Sequence, residues 1–211
     1  MNAVEDHDPL AASSAGYPDA AVSVAFFAAM FGHETTGRMT IWTASNRKTY
    51  WPNTTAEAAA AAIGLAGDDD VYFGVGLRRS RLMNGRGSSD EVGSVTAVWA
   101  DVDIEGPGHA AGNYPPDEAA ARLLLSEFPL PVSIVVHSGG GLHAYWLLAE
   151  PIQGAEAAQL VDSVQKQLRA LADSHGWKID TTSDLARVLR SSGNDQSQEW
   201  PTAPSAHARP A

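Results

Sequence analysis

The stretch that most constrains this chain is Val95-Thr96-Ala97-Val98-Trp99-Ala100-Asp101-Val102-Asp103-Ile104-Glu105. It opens almost wholly apolar and rich in β-branched residues, which predicts a buried strand. It then places two carboxylates two residues apart. Side chains alternate along a strand, so Asp101 and Asp103 share one face while Val102 and Ile104 take the other. Two like charges this close repel and raise the apparent pKa of one of them, a conflict that a divalent cation removes. Paired carboxylates on a strand are a common way to hold Mg²⁺ or Mn²⁺ against a phosphate. By itself, a D-x-D strand end is as readily a solvated acidic terminus, and Gly106-Pro107-Gly108 marks that end.

The 211 residues suffice for one domain with a proper core. No apolar run approaches the ~20 residues that cross a bilayer, so no membrane association is expected. Met1 to Pro9 is acidic and lacks an apolar segment, so no signal peptide is expected. The absence of cysteine excludes disulfides and thiolate metal sites and suits a cytoplasmic protein. A formal net charge of −11 argues against coating nucleic acid by bulk charge. Basic residues nevertheless cluster at Arg78, Arg79, Arg81 and Arg86, and again at Arg187 and Arg190.

Along the chain, residues 1–18 read as disordered, 19–190 as one folded domain and 191–211 as a disordered or altered tail. Helices are predicted over 19–31 with Asp19 as cap, 55–65 after Thr54 or Thr55, 115–128 and 156–174. Strands are predicted over 39–44, 48–51, 71–77, 132–137, 142–148 and 177–180, with a helical turn over 184–190. Gly139-Gly140-Gly141 between two strands is a hairpin signal, so the sheet is at least partly antiparallel. The class is α+β: an antiparallel sheet covered by helices, with an N-terminal α/β elaboration.

Three further features join the Asp pair. In His137-Ser138-Gly139-Gly140-Gly141-Leu142-His143, the glycines let backbone N–H groups approach phosphate oxygens, Ser138 offers a hydroxyl, and His143 can donate to a phosphate. In Lys178-Ile179-Asp180, the carboxylate is a possible third metal ligand. In Asp184-Leu185-Ala186-Arg187-Val188-Leu189-Arg190, arginines three apart lie on one side of a helical turn and suit a triphosphate. Each feature alone has a plain structural reading as a glycine turn, a turn-forming Asp or a solvated basic edge.

The order D-x-D, then S-x-x-x-x-H on a glycine hairpin, then an apolar residue with Asp, then D-L-A-R-V-L-R, resembles the archaeo-eukaryotic primase superfamily. The match is best to its RepB-like plasmid and phage primase–polymerase branch, over residues 40–190. The resemblance implies an RRM-like antiparallel sheet and assigns Asp101, Asp103 and Asp180 to metal binding and catalysis, with His143. It implies that Ser138, Gly139, Gly140, Gly141, His143, Asp184, Arg187 and Arg190 bind the nucleotide. After Arg190, family members continue into an apolar-Pro-Gly-Thr-x-Asn segment. Here Ser191-Ser192-Gly193-Asn194-Asp195 follows instead, and weaker nucleotide binding is expected.

The expected function is therefore a DNA primase or polymerase-type nucleotidyltransferase of plasmid, phage or mobile-element replication. It would use Mg²⁺ or Mn²⁺ to add NTP or dNTP on a single-stranded DNA template, with a replicative helicase as a possible partner. Arg78, Arg79, Arg81 and Arg86 are the candidate template contacts, on charge alone. Two alternatives compete. An inactive RRM-like nucleic-acid-binding module would use Trp99, Tyr145 and Trp146 as exposed stacking platforms. A replication-initiator nuclease would want a helical tyrosine nucleophile and a close histidine pair, which Tyr145 on a strand and His137 and His143, six apart, supply poorly.

Overall fold

The computed structural model describes residues 20–32, 36–83, 85–106, 112–191 and 198–199. The Asp19 cap, the reading of residues 1–18 and the Pro107-Gly108 stop lie outside the described residues. In chain order, the helices are α1 (Ala20–Phe31), α2 (Thr55–Ala66), α3 (Glu118–Glu127) and α4 (Gly154–Ser174). The strands are β1 (Ile41–Thr43), β2 (Thr49–Tyr50), β3 (Val71–Gly74), β4 (Gly76–Arg78), β5 (Val92–Asp103), β6 (Ile134–His137), β7 (Gly141–Gln153), β8 (Val188–Arg190) and β9 (Gln198–Glu199).

The strands form two sheets, ordered β2-β1-β3-β8 and β4-β5-β7-β6-β9. Every pairing between these strands is antiparallel. The α+β expectation holds. Local chemistry sets two of the helix starts: Thr54 accepts from the Glu57 N–H at 3.1 Å, and Asp117 accepts from the Ala120 N–H at 2.8 Å. The amphipathic stripe of α4 buries Ala157, Val161, Val164, Leu168 and Ala172.

β5 and β7 form the centre of the larger sheet. On the face carrying Tyr145, Phe26 of α1 and Phe73 of β3 pack with ring centroids 5.7 and 6.1 Å from the Tyr145 ring. On the opposite face, Phe128 lies 5.3 Å from Trp146. Both faces of β5 are therefore covered along most of its length. Burying each of these large side chains contributes about 1.5–3 kcal/mol over leaving it in water. Beyond Gly93 at its start, the pattern opens at the strand's exit, where Asp101 and Asp103 are half-buried and Val102 between them is buried.

Four expectations need correction. The run Val71–Leu77, expected as one strand, is two strands in two sheets. The break falls at Val75, whose N–H donates to the Arg187 carbonyl at 3.1 Å. Close approach of the two sheets requires a glycine beside it: a Cβ at Gly74 would collide with the Thr40 hydroxyl and stand 3.3 Å from the Arg78 guanidinium. Secondly, residues 184–190 are a turn followed by β8, not a helical turn. Leu189 is buried opposite Phe73, so strand pairing with β3 outweighs the local helical spacing. Thirdly, residues 177–180 are irregular, tied by the Lys178 N–H to the Asn113 carbonyl at 2.5 Å. Fourthly, Gln198–Glu199, read as part of a disordered tail, form a strand against Val135 and Val136.

Candidate active site

The carboxylate end of β5 faces β7 in a fixed register: Asp101 is opposite His143, and Asp103 is opposite Gly141. Partners opposite each other in an antiparallel pair project to the same face. This puts Asp101, Asp103 and His143 together. The His143 Nε2 lies 3.4 Å from the Asp101 Oδ1.

Gly141 is required by that register. A Cβ there would collide with the Val102 carbonyl and stand 2.8 Å from the Asp103 Cα. The glycine hairpin is thus first of all the place where β7 crosses β5 closely. The Ser138 N–H closes the turn onto the Gly141 carbonyl at 2.9 Å, and the Gly140 carbonyl accepts the Ile104 N–H at 3.0 Å. Gly139 and Gly140 remain exposed beside the carboxylates' strand end.

His143 is only 4% exposed, not a side chain lining an open cleft. Burial lowers its pKa to about 4; the Asp103 charge opposes this, and the charges of Arg190 and Arg187 add to it. The ring is therefore neutral at neutral pH, an N–H donor rather than a cation. Its Nδ1 finds no hydrogen-bond partner of good geometry, although the Arg190 carbonyl lies near enough to favour protonation.

Arg187 and Arg190 thus act on the same histidine as Asp103, even though the segment bearing them is not helical. Arg187 donates to the Thr181 carbonyl at 3.2 Å, and its Nε is buried without a partner. Arg190 pairs with Asp70 at 3.3 Å and lies 5.8 Å from the Tyr72 ring centroid. Asp184 accepts from the Ser89 hydroxyl at 2.6 Å and the Ala186 N–H at 3.0 Å, so it shapes the turn before Arg187.

Asp180 lies in the irregular segment after α4. Its carboxylate pairs with Lys178 at 2.8 Å and accepts the Tyr114 hydroxyl at 3.3 Å. Among the described residues, no group of three or more His, Cys, Asp or Glu side chains is arranged to hold a metal. Lys178 supplies a positive charge beside the Asp180 carboxylate. Asp101 and Asp103 by themselves offer hard anionic oxygens on one half-exposed face, a donor set that fits Mg²⁺ or Mn²⁺.

A primase–polymerase (PrimPol) AEP domain of cyanophage S-2L has a similar structure. The TM-score is 0.54 at 18% identity, covering 87% of this chain and 91% of that one. The fold is that of a primase–polymerase domain. No family model and no curated protein matches the sequence.

On this primase–polymerase fold the basic loop after β4 divides. Arg79 and Arg81 are exposed and Arg86 is half-buried, whereas Arg78 is 0% exposed and unavailable to a template. Arg81 donates to the Asn53 side chain at 2.9 Å. The aromatic platforms of the RRM-type alternative are also unavailable, since Trp99 and Tyr145 are fully buried and Trp146 is 6% exposed. Burial pushes the Tyr145 phenol well above its ordinary pKa, and the Asp101 charge adds to it. No helix among the described residues is long and apolar enough to cross a membrane.

One contributor, Gln165, was missed in the sequence, and another, Arg78, was read there as a template contact. Gln165 donates to the Trp99 carbonyl and the Thr182 hydroxyl, both at 3.0 Å, and accepts the Thr182 N–H at 3.1 Å. It thereby ties α4 to β5 and to the segment leading to Arg187. Its signal was present as a polar residue inside the apolar stripe of α4. Arg78 had no such signal, because nothing local distinguishes it from its exposed neighbours.

Proposed function

We propose that this chain is a divalent-metal-dependent nucleotidyltransferase of the primase–polymerase type, adding nucleotides on a single-stranded DNA template. The observation that carries the reading is the Asp101–His143 pair, with Asp103, Arg187 and Arg190 about it, at the open end of β5 in a primase–polymerase fold. Asp101 and Asp103 would hold Mg²⁺ or Mn²⁺, which would supply charge neutralisation at the transferring phosphate.

The chain's own residues support the rest of the chemistry. Neutral His143 donates an N–H without bringing a second positive charge beside the arginines. Arg187 and Arg190 offer guanidinium groups that pair with phosphate oxygens. Exposed Gly139 and Gly140, with Ser138, flank the same strand end, and the loop bearing Arg79, Arg81 and Arg86 is the proposed template contact. The RepB-like branch and a plasmid, phage or mobile-element setting belong to this reading, on motif order.

The test is primer extension on a single-stranded template with labelled NTP or dNTP and Mg²⁺ or Mn²⁺. The wild-type chain should incorporate label, and Asp101→Asn and Asp103→Asn should each lose at least about a hundredfold in rate. No incorporation with any nucleotide and either metal, from a folded protein, would overturn the proposal.

A further inference from the structure

Arg78 is a fully buried cation whose three hydrogen bonds all go to backbone carbonyls on separate segments. Its Nε donates to Arg86 at 2.9 Å, Nη1 to Gly76 at 2.5 Å and Nη2 to Ala186 at 3.0 Å. None of these three acceptors is a carboxylate; the charges of Asp184 and Glu91 compensate Arg78 without taking one of those bonds. A buried charge is costly to desolvate, and breaking its partners is strongly destabilising. The three bonds fix the geometry of the segments they join.

That geometry concerns residues 184–187. The Ala186 carbonyl held by Arg78 directly precedes Arg187, and the Arg187 carbonyl accepts the Val75 N–H at 3.1 Å, between β3 and β4. On the other side, the Arg86 carbonyl belongs to the basic loop, which also sends the Ser89 hydroxyl to Asp184 at 2.6 Å. Two independent bonds therefore fasten the basic loop to the turn that presents Arg187.

We infer that Arg78 is a positioning residue: it clamps the loop of Arg86 to the Ala186 backbone and so sets Arg187 toward the nucleotide's phosphates. This rests on the nucleotidyltransferase reading for its ligand, but the clamp itself is measurable without one. Arg78 touches no reacting group. It acts through Arg187, and through the loop it joins the proposed template and triphosphate contacts into one body.

The experiment compares the full chain with its Arg78→Lys variant in two measurements. Lysine keeps the charge but cannot span three carbonyls, so backbone amide exchange at 184–190 and 86–91 should quicken while α4 is unchanged. The dissociation constant for a nucleoside triphosphate should rise about tenfold, the loss expected for a charge-assisted bond. Adding Arg187→Ala to Arg78→Lys should cost little more, because the two act as a unit. Should Arg78→Lys fail to fold, Ser89→Ala, an exposed change that removes the second fastening, should show the same local exchange on a smaller scale. Unchanged exchange at 184–190 in a folded variant, or fully additive effects of the Arg78 and Arg187 changes on affinity, would overturn the inference. If exchange responds as expected but the wild-type chain binds no triphosphate, the clamp stands and the nucleotidyltransferase reading falls.

Discussion

His143 joins two requirements that usually conflict. Its sequence context marks it as a phosphate donor, yet the side chain is buried, faces Asp101 across the β5–β7 pair and has its pKa lowered to about 4. A buried ring is part of the packing as well as the chemistry. His143→Ala should therefore weaken nucleotide binding and also destabilise the fold, by about 1–3 kcal/mol as expected for truncating a buried side chain. Denaturant titration of the variant checks this; unchanged stability with weakened binding would show that the ring serves binding and not packing. At this scale the sequence was informative about which side chains share one face of the β5–β7 pair but not about their company. Asp101, Asp103 and His143 could be paired from strand alternation and the glycine turn. The Lys178–Asp180 ion pair was not anticipated, although both residues stand two apart, because the same carboxylate was assigned to a metal.

Elements were legible where a short-range signal and the tertiary partner agree. β5, the glycine hairpin and the four helices follow from apolar patterning and capping, with boundaries within a few residues. They failed where a distant strand decides: β3 and β4 split because Val75 meets Arg187, and β8 forms because Phe73 lies opposite Leu189. The β5–β7 pair tests the first class. Gly141 sits opposite Asp103 with no room for a Cβ against the Val102 carbonyl. Backbone on both sides leaves nothing flexible to yield, so Gly141→Ala should push β7 away from β5 at the carboxylates. The expected outcome is a loss of about 1–3 kcal/mol in stability and a larger loss of nucleotide affinity than Gly64→Ala in α2 produces, since Gly64 has open space around it. Equal effects of the two substitutions would show that the close crossing is relaxed in solution.

At the scale of the whole molecule, the larger sheet ends on β9, and this concerns the segment after Arg190. That segment reads as a disordered or altered tail on composition, whereas Gln198 and Glu199 pair with Val136 and Val135 of β6. β6 runs directly into the Ser138–Gly140 turn, and its other edge holds β7 at Val136↔His143. Its outer edge, if bare, would present unpaired backbone groups to solvent and to other chains. Removing residues 192–211 should therefore cost a backbone bond or two, on the order of 1–2 kcal/mol, and lower Tm by about 2–6 °C for a domain of this size. Exchange should quicken at Val135 and Val136, with a smaller rise at the hairpin, while the β1–β3 pair in the other sheet stays protected. Nucleotide affinity should fall modestly through the loosened turn rather than vanish, because Arg187 and Arg190 are anchored from β3 and not from β9. A truncated chain with unchanged Tm and unchanged exchange along β6 would show that β9 adds nothing, and that the composition of the tail had been the better guide.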